Sequence, residues 1–134
     1  MKNLLAPPPR SFTVEEFSVR TKKLQLEMAK VNIGAVFFTT EPEFRYFSGF
    51  KSQFWESPTR PWFLVVPAKG KPIAIVPELG VAGFEETWIE DVRSWPAPRP
   101  EDDGISLLSD TLIQAASAQK SIGVMMGPET HLRM

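Results

Sequence analysis

Glu43-Phe44-Arg45-Tyr46-Phe47-Ser48-Gly49-Phe50, then Lys51-Ser52-Gln53-Phe54-Trp55-Glu56-Ser57-Pro58-Thr59-Arg60-Pro61, then Trp62-Phe63-Leu64-Val65-Val66, is the stretch that orders the rest of the chain. Its first part reads as a short aromatic helix closed by Gly49, because glycine takes the left-handed conformation that ends helices. Its last part is a continuous apolar run with the length of a buried strand. The segment between them is a loop that offers Trp55 as an aromatic wall and Arg60 as a guanidinium.

The chain before this stretch supplies a helix and another buried strand. Thr13-Val14-Glu15-Glu16 matches a capping box, and Phe12 with Phe17 fits a hydrophobic staple, so a first helix starts there. Phe17, Leu24, Met28 and Val31 give its apolar stripe, with Arg20, Lys22, Lys23, Glu27 and Lys30 on the wet side and Asn32 and Gly34 as the stop. Ala35 to Phe38 is apolar without interruption, which calls for cover on both faces of a sheet.

Downstream, Trp62 to Val66 and Ile73 to Val76 flank Pro67-Ala68-Lys69-Gly70-Lys71-Pro72, a hairpin composition that pairs them antiparallel. Pro77 to Phe84 has room for one or two helical turns. Thr87 to Val92 reads as an edge strand, and Pro96 to Pro100 as a loop. A second long helix starts at Asp102 or Asp103, with Ile105, Leu108, Leu112, Ile113 and Ala116 as its stripe, and Ser121 to Met125 forms a last strand. Gly127-Pro128-Glu129-Thr130 opens a further helix that the chain does not finish, an ending with the look of a cut. The order of elements specifies an α/β fold, a three-layer domain with a mixed β-sheet flanked by helices. Residues 1–11 form a lead-in, and residues 12–134 form the domain.

Composition narrows the function classes. With 134 residues and 43% hydrophobic content the chain can bury one ordinary core. Fifteen basic against sixteen acidic side chains give a net charge of -1, so no field draws it to nucleic acid or to an anionic membrane. The absence of cysteine excludes disulfides and thiolate metal sites. No signal-peptide h-region or membrane-spanning run is seen, and a cytoplasmic location is expected. A single histidine, His131, argues against a histidine-rich metal site or a serine-histidine-aspartate set. Adjacent acids such as Glu85-Glu86 and Glu101-Asp102-Asp103 diverge along a strand or helix, and the second run suits a helix N-terminus. Pro67 to Lys71 lacks the spacing of a phosphate-cradling loop.

Four residues remain as candidates for ligand contact. Arg60 presents a rigid fork suited to a carboxylate. Phe54 and Trp55 supply apolar area, set against packing beneath the loop, and Tyr46 supplies a hydroxyl toward the same cleft, set against burial on a backbone carbonyl. Trp62, inside a strand, is assigned to the core.

Taken together, the opening helix with Arg20, the strand Ala35 to Phe38, the Phe44-to-Phe50 element, the strand pair from Trp62 to Val76 and Ile122-Gly123-Val124 before Gly127-Pro128-Glu129-Thr130 carry a resemblance. The chain resembles the N-terminal domain of the creatinase, aminopeptidase P and prolidase family, the pita-bread metallopeptidases, with Tyr46-Phe47-Ser48-Gly49-Phe50 similar to that family's Tyr-Leu-Thr-Gly-Phe element. The resemblance implies a ribonuclease H-like fold. It implies a parent that is a metal-dependent hydrolase like Xaa-Pro dipeptidase or creatinase, with two divalent metal ions in a C-terminal domain that this chain lacks and no cofactor in this part. It implies a homodimer in which a loop of this domain reaches the partner's active site, and a small-molecule or dipeptide substrate. Arg60 falls where creatinase has an arginine that holds the substrate carboxylate, while Pro58 stands nearest to that enzyme's aromatic residue. Two alternatives accompany the resemblance: an assembly module from a catalytically dead relative, as in histone-chaperone proteins of this architecture, and a lyase such as the one acting on dimethylsulfoniopropionate.

Overall fold

The computed structural model describes residues 12–52, 61–117 and 120–126. Helix α1 (Val14–Lys30) begins as the capping box requires: the Glu16 amide donates to Thr13 Oγ1 at 3.2 Å. The Phe12 and Phe17 rings meet edge to face at 6.4 Å, completing the staple. Asn32, at φ 58°, turns the chain out of the helix in the left-handed conformation that asparagine tolerates. Strand β1 (Ile33–Phe38) follows, and it includes Gly34, expected above to act as a helix stop. A Cβ on Gly34 would stand 2.9 Å from the Lys120 Cβ and 3.1 Å from Ala116, so its role is to let the strand pack closely against the residues that follow the second long helix.

Helix α2 (Glu41–Ser48) starts after Thr40, whose hydroxyl donates to the Glu43 carboxylate rather than capping a backbone amide, and it ends at Gly49 with φ 78°. Strands β2 (Phe63–Pro67) and β3 (Ile73–Pro77) pair antiparallel, as their composition predicts. The Gln25 amide of α1 donates to the carbonyls of Pro67 and Gly70, both at 2.9 Å, and so ties the hairpin turn to the first helix. A 3₁₀ segment (Glu78–Glu86) occupies the place expected for helical turns. Strand β4 is Asp91–Trp95 rather than Thr87 to Val92. Thr87 Oγ1 donates to the Phe84 carbonyl and accepts from the Ile89 amide, a local turn that delays entry into the sheet.

Helix α3 (Ile105–Ala115) and strand β5 (Ser121–Val124) complete the described chain. The helix starts later than either Asp102 or Asp103, because Asp103 and Gly104 both hold positive φ, at 51° and 81°. Asp102 still acts at this N-terminus: its Oδ1 accepts from the Ser106 amide at 2.8 Å. That hydrogen bond from Ser106 is the main reason its carboxyl lies below the ordinary carboxylate pKa.

The five strands lie in the order β4-β3-β2-β1-β5, with β1/β2 and β2/β3 antiparallel and β1/β5 and β3/β4 parallel. The sheet is therefore mixed, with β4 at an edge as expected. The period-2 alternation of its strands divides the apolar residues into two cores. Val36, Phe38, Leu64, Val66, Ala74 and Val76 meet Met28, Phe44, Phe47 and Phe84 on one face. Ala35, Phe63, Val65 and Ile75 meet Trp95, Leu108, Leu112 and Ala116 on the other. Helices on both sides of one sheet give the three layers.

The helical stripes differ from expectation at their margins. Val31, Ile105 and Ile113 are exposed, whereas Thr21 and Thr111 are buried. Thr111 fits because its hydroxyl donates to the Leu107 carbonyl and accepts from Arg93 Nη1 at 3.0 Å. Among the described residues no helix is long and apolar enough to cross a membrane.

Candidate functional site

The loop proposed to meet a ligand leaves α2 and returns to β2, and its two roots are held together by aromatic packing. At the exit, Ser48 Oγ donates to the Phe44 carbonyl at 2.6 Å and accepts from the Phe50 amide at 3.0 Å. The Gly49 amide donates to the Arg45 carbonyl at 2.8 Å, which completes the left-handed cap. These bonds point Phe50 inward.

At the return, Trp62 is buried, and its ring lies 5.3 Å from that of Phe50. The assignment of Trp62 to the core holds, although it precedes β2 rather than lying in it. Phe50 also stacks on Phe84 at 4.2 Å with the ring planes 2° apart, and both Phe50 and Phe84 meet Phe44 edge to face at 6.0 Å. The chain thus departs at Phe50 and comes back at Trp62 on one aromatic cluster.

Two glycines of the 3₁₀ segment make the cluster possible. A Cβ at Gly80 would lie 2.3 Å from Trp62 Cη2 and Cζ3, and one at Gly83 would lie 2.5 Å from Phe50 Cε2. Neither glycine stood out in the sequence. Their signal was the pairing of small residues with a run of large aromatics elsewhere, which has no local period.

Arg60, Trp55 and Phe54, three of the four candidates, lie outside the described residues. Tyr46 is placed on the outer side of α2 with its side chain about half exposed, so the reading of a buried tyrosine is replaced by a surface one. It is the Tyr46 backbone carbonyl that is engaged: Arg20 Nη1 donates to it at 2.8 Å. The Arg20 guanidinium sits 4.3 Å from the centroids of both the Phe12 and Tyr46 rings and 5.2 Å from that of Phe17. Its Nε donates to Glu16 at 3.2 Å.

Arg20 was expected on the wet side of α1, but only 11% of its side chain is exposed. Its planar cation fills the space between aromatic faces, which a hydrated ammonium would not do as well. It links α1 to the last turn of α2, one step before the loop begins.

Elsewhere the charged groups serve the fold. Arg93 donates to both carboxylate oxygens of Asp91 at 3.1 Å and to the Gln114 side-chain amide oxygen Oε1 at 2.7 Å, which fastens β4 to α3. Lys71 pairs with Glu90 beside the Trp88 ring. Among the described residues no group of three or more His, Asp or Glu side chains converges to hold a metal. The resemblance assigns its metal ions to another domain, and no chemical step is assigned to a metal on the described residues.

Comparison with solved structures places this geometry among known domains. Dipeptidase PepE from Mycobacterium ulcerans superposes with a TM-score of 0.68 at 23% identity, over 91% of this chain and 32% of that one. A prolidase from Thermococcus sibiricus superposes with a TM-score of 0.67 at 19% identity, over 87% of this chain and 30% of that one. The N-terminal domain of an Xaa-Pro dipeptidase from Lactobacillus brevis gives 0.63 at 20% identity, over 78% of this chain and 75% of that one. The chain thus spans about a third of the length of the first two, 32% and 30%, and at these identities the likeness is one of fold. No curated protein matches it by sequence. The sequence model of the Creatinase/Prolidase N-terminal domain matches residues 20–127, which covers α1 from Arg20 through β5, and the chain belongs to that family.

Proposed function

We propose that this domain is the non-catalytic N-terminal part of a metal-dependent hydrolase resembling Xaa-Pro dipeptidase or creatinase. In this reading it helps two subunits associate and orients a small substrate at the partner's active site. The observation that carries the proposal is the family match over residues 20–127, joined to solved relatives described as dipeptidase and prolidase. The metal ions that activate water and polarise a carbonyl belong, in this reading, to a second domain. This domain contributes by positioning, through Arg60 with Trp55, Phe54 and Tyr46 around the loop.

The pinned roots of that loop support the reading. A loop whose ends meet on packed Phe50 and Trp62 loses less order-dependent binding energy than one hung from flexible ends. A cytoplasmic location accompanies the proposal.

In the full-length parent, Arg60→Lys should raise KM for an anionic substrate, because the ammonium cannot reproduce a bidentate fork. Unchanged kinetics would remove Arg60 from the site. The 134-residue chain by itself should show no turnover, and metal-dependent hydrolysis by the purified chain would overturn the division of labour.

A further inference from the structure

A groove of about 380 Å³ runs along the outer surface between α1 and α2, bordered by Phe12, Arg20, Pro42, Arg45, Tyr46 and Lys51. Its size falls in the range of small-ligand sites, which begins at roughly 300 Å³. Two of its aromatic residues are unusually open for their type: Phe12 is 65% exposed and Tyr46 49%. Each uses one ring face on the Arg20 guanidinium. Core packing therefore does not account for the apolar surface they present.

The cations around the groove are incompletely engaged. Arg20 commits Nε to Glu16 and Nη1 to the Tyr46 carbonyl, leaving Nη2 without a hydrogen-bond partner among the described residues. Arg45 holds Glu41 only loosely, at 3.8 Å. Lys51 is exposed and has no ion pair among the described residues. Three cations against the carboxylates of Glu16 and Glu41 leave one net positive charge at the groove. That balance matches a monoanion better than a doubly charged phosphate.

We propose that this groove binds a small monoanionic carboxylate carrying a flat ring, with the carboxylate between Arg45 and Lys51 and the ring against Tyr46, Phe12 and Pro42. A carboxylate accepts from guanidinium and ammonium together, and a flat ring gains contact area on exposed aromatics and proline at little entropic cost. The groove shares Tyr46 with the substrate-positioning set proposed above but none of Arg60, Trp55 and Phe54, and its binding does not depend on the hydrolase reading.

The test is a titration of the 134-residue chain, labelled with ¹⁵N, with phenylacetate, benzyl alcohol and inorganic phosphate as three separate probes. Phenylacetate should shift the amides of Arg45, Tyr46 and Lys51 in a saturable way, and the two other probes should bind at least about fivefold more weakly. Lys51→Gln and Arg45→Gln, both at exposed positions, should each weaken phenylacetate about fivefold while leaving the thermal transition unchanged. Equal binding of phosphate or benzyl alcohol, undiminished affinity in both variants, or shifts confined to residues away from α1 and α2 would each overturn the proposal.

Discussion

Gly83→Ala tests whether the aromatic cluster truly fixes the roots of the loop. The new Cβ would lie 2.5 Å from Phe50 Cε2 and 3.4 Å from its Cζ, whereas carbon atoms rest at about 3.5–4.0 Å. The Phe50 ring must therefore retreat by roughly 1 Å, or the 3₁₀ segment must shift by as much. The ring has little room: Phe50 is 6% exposed, is stacked on Phe84 at 4.2 Å and lies 5.3 Å from the Trp62 ring.

Overpacking of this kind costs about 1–3 kcal/mol. Replacing glycine also removes freedom from the unfolded chain, an offset of about 0.4–1 kcal/mol. The net expectation is a loss of about 1–2 kcal/mol, which for a domain of this size lowers Tm by roughly 3–10 °C. Thermal and urea unfolding of the purified chain, followed by tryptophan fluorescence and circular dichroism, measure it.

A double-mutant cycle with Phe50→Leu isolates the cause, since the shorter side chain removes the atom that the new methyl strikes. Gly83→Ala should cost at least about 1 kcal/mol less in that background. An unchanged or raised Tm for Gly83→Ala alone, or strict additivity in the cycle, would refute the steric argument.

Two further outcomes follow from the charged residues. Arg20→Lys keeps the charge but not the planar fork that meets Glu16, the Tyr46 carbonyl and two ring faces at once, so denaturant titration should show a loss of about 1–2 kcal/mol; equal stability would show that charge alone suffices. For Asp102, whose folded pKa is depressed chiefly by the Ser106 amide, the stabilisation is complete above the unfolded carboxylate pKa of about 3.9 and disappears as pH falls through the lower folded value. Asp102→Ala should accordingly lower Tm at pH 5 to 8, and the gap to the native chain should close below about pH 4; a gap that persists in acid would assign the effect to something other than this carboxylate.

Much of the fold could be read locally because its signals are local. A capping box, a staple and a glycine stop act within one or two turns, and each is found where the residues placed it, at Thr13, at Phe12 with Phe17 and at Gly49. The runs Ala35 to Phe38 and Trp62 to Val66 announced buried strands, the first covered on both faces, and the structure starts the second at Phe63 and divides their residues between two cores. The Tyr46-to-Phe50 element, with the order of its neighbours, was sufficient to indicate the family that the match over residues 20–127 shows.

The candidate site was legible only in part. Sequence reasoning drew attention to the loop and to Arg60, Trp55 and Phe54, which fall outside the described residues. It missed Gly80 and Gly83, because the aromatic rings that require them lie 18 or more positions away along the chain, at Trp62 and Phe50. It put Arg20 in water because helical periodicity registers only the residue's own helix. The carbonyl that Arg20 bonds is 26 residues away.

By itself, then, the sequence determined the elements, their order, the mixed three-layer sheet and the family, since hydrophobic period, caps and turns are written in neighbouring residues. Only the tertiary structure decided which margins of each helix meet the sheet, leaving Ile105 and Ile113 in solvent and Thr111 inside. It also decided that Arg20 serves as a bridge between α1 and α2 and that Phe50 and Trp62 close one loop at a single aromatic cluster. Burial, steric fit and ion pairing depend on which surfaces meet, and chain folding brings those surfaces together from positions with no local relation.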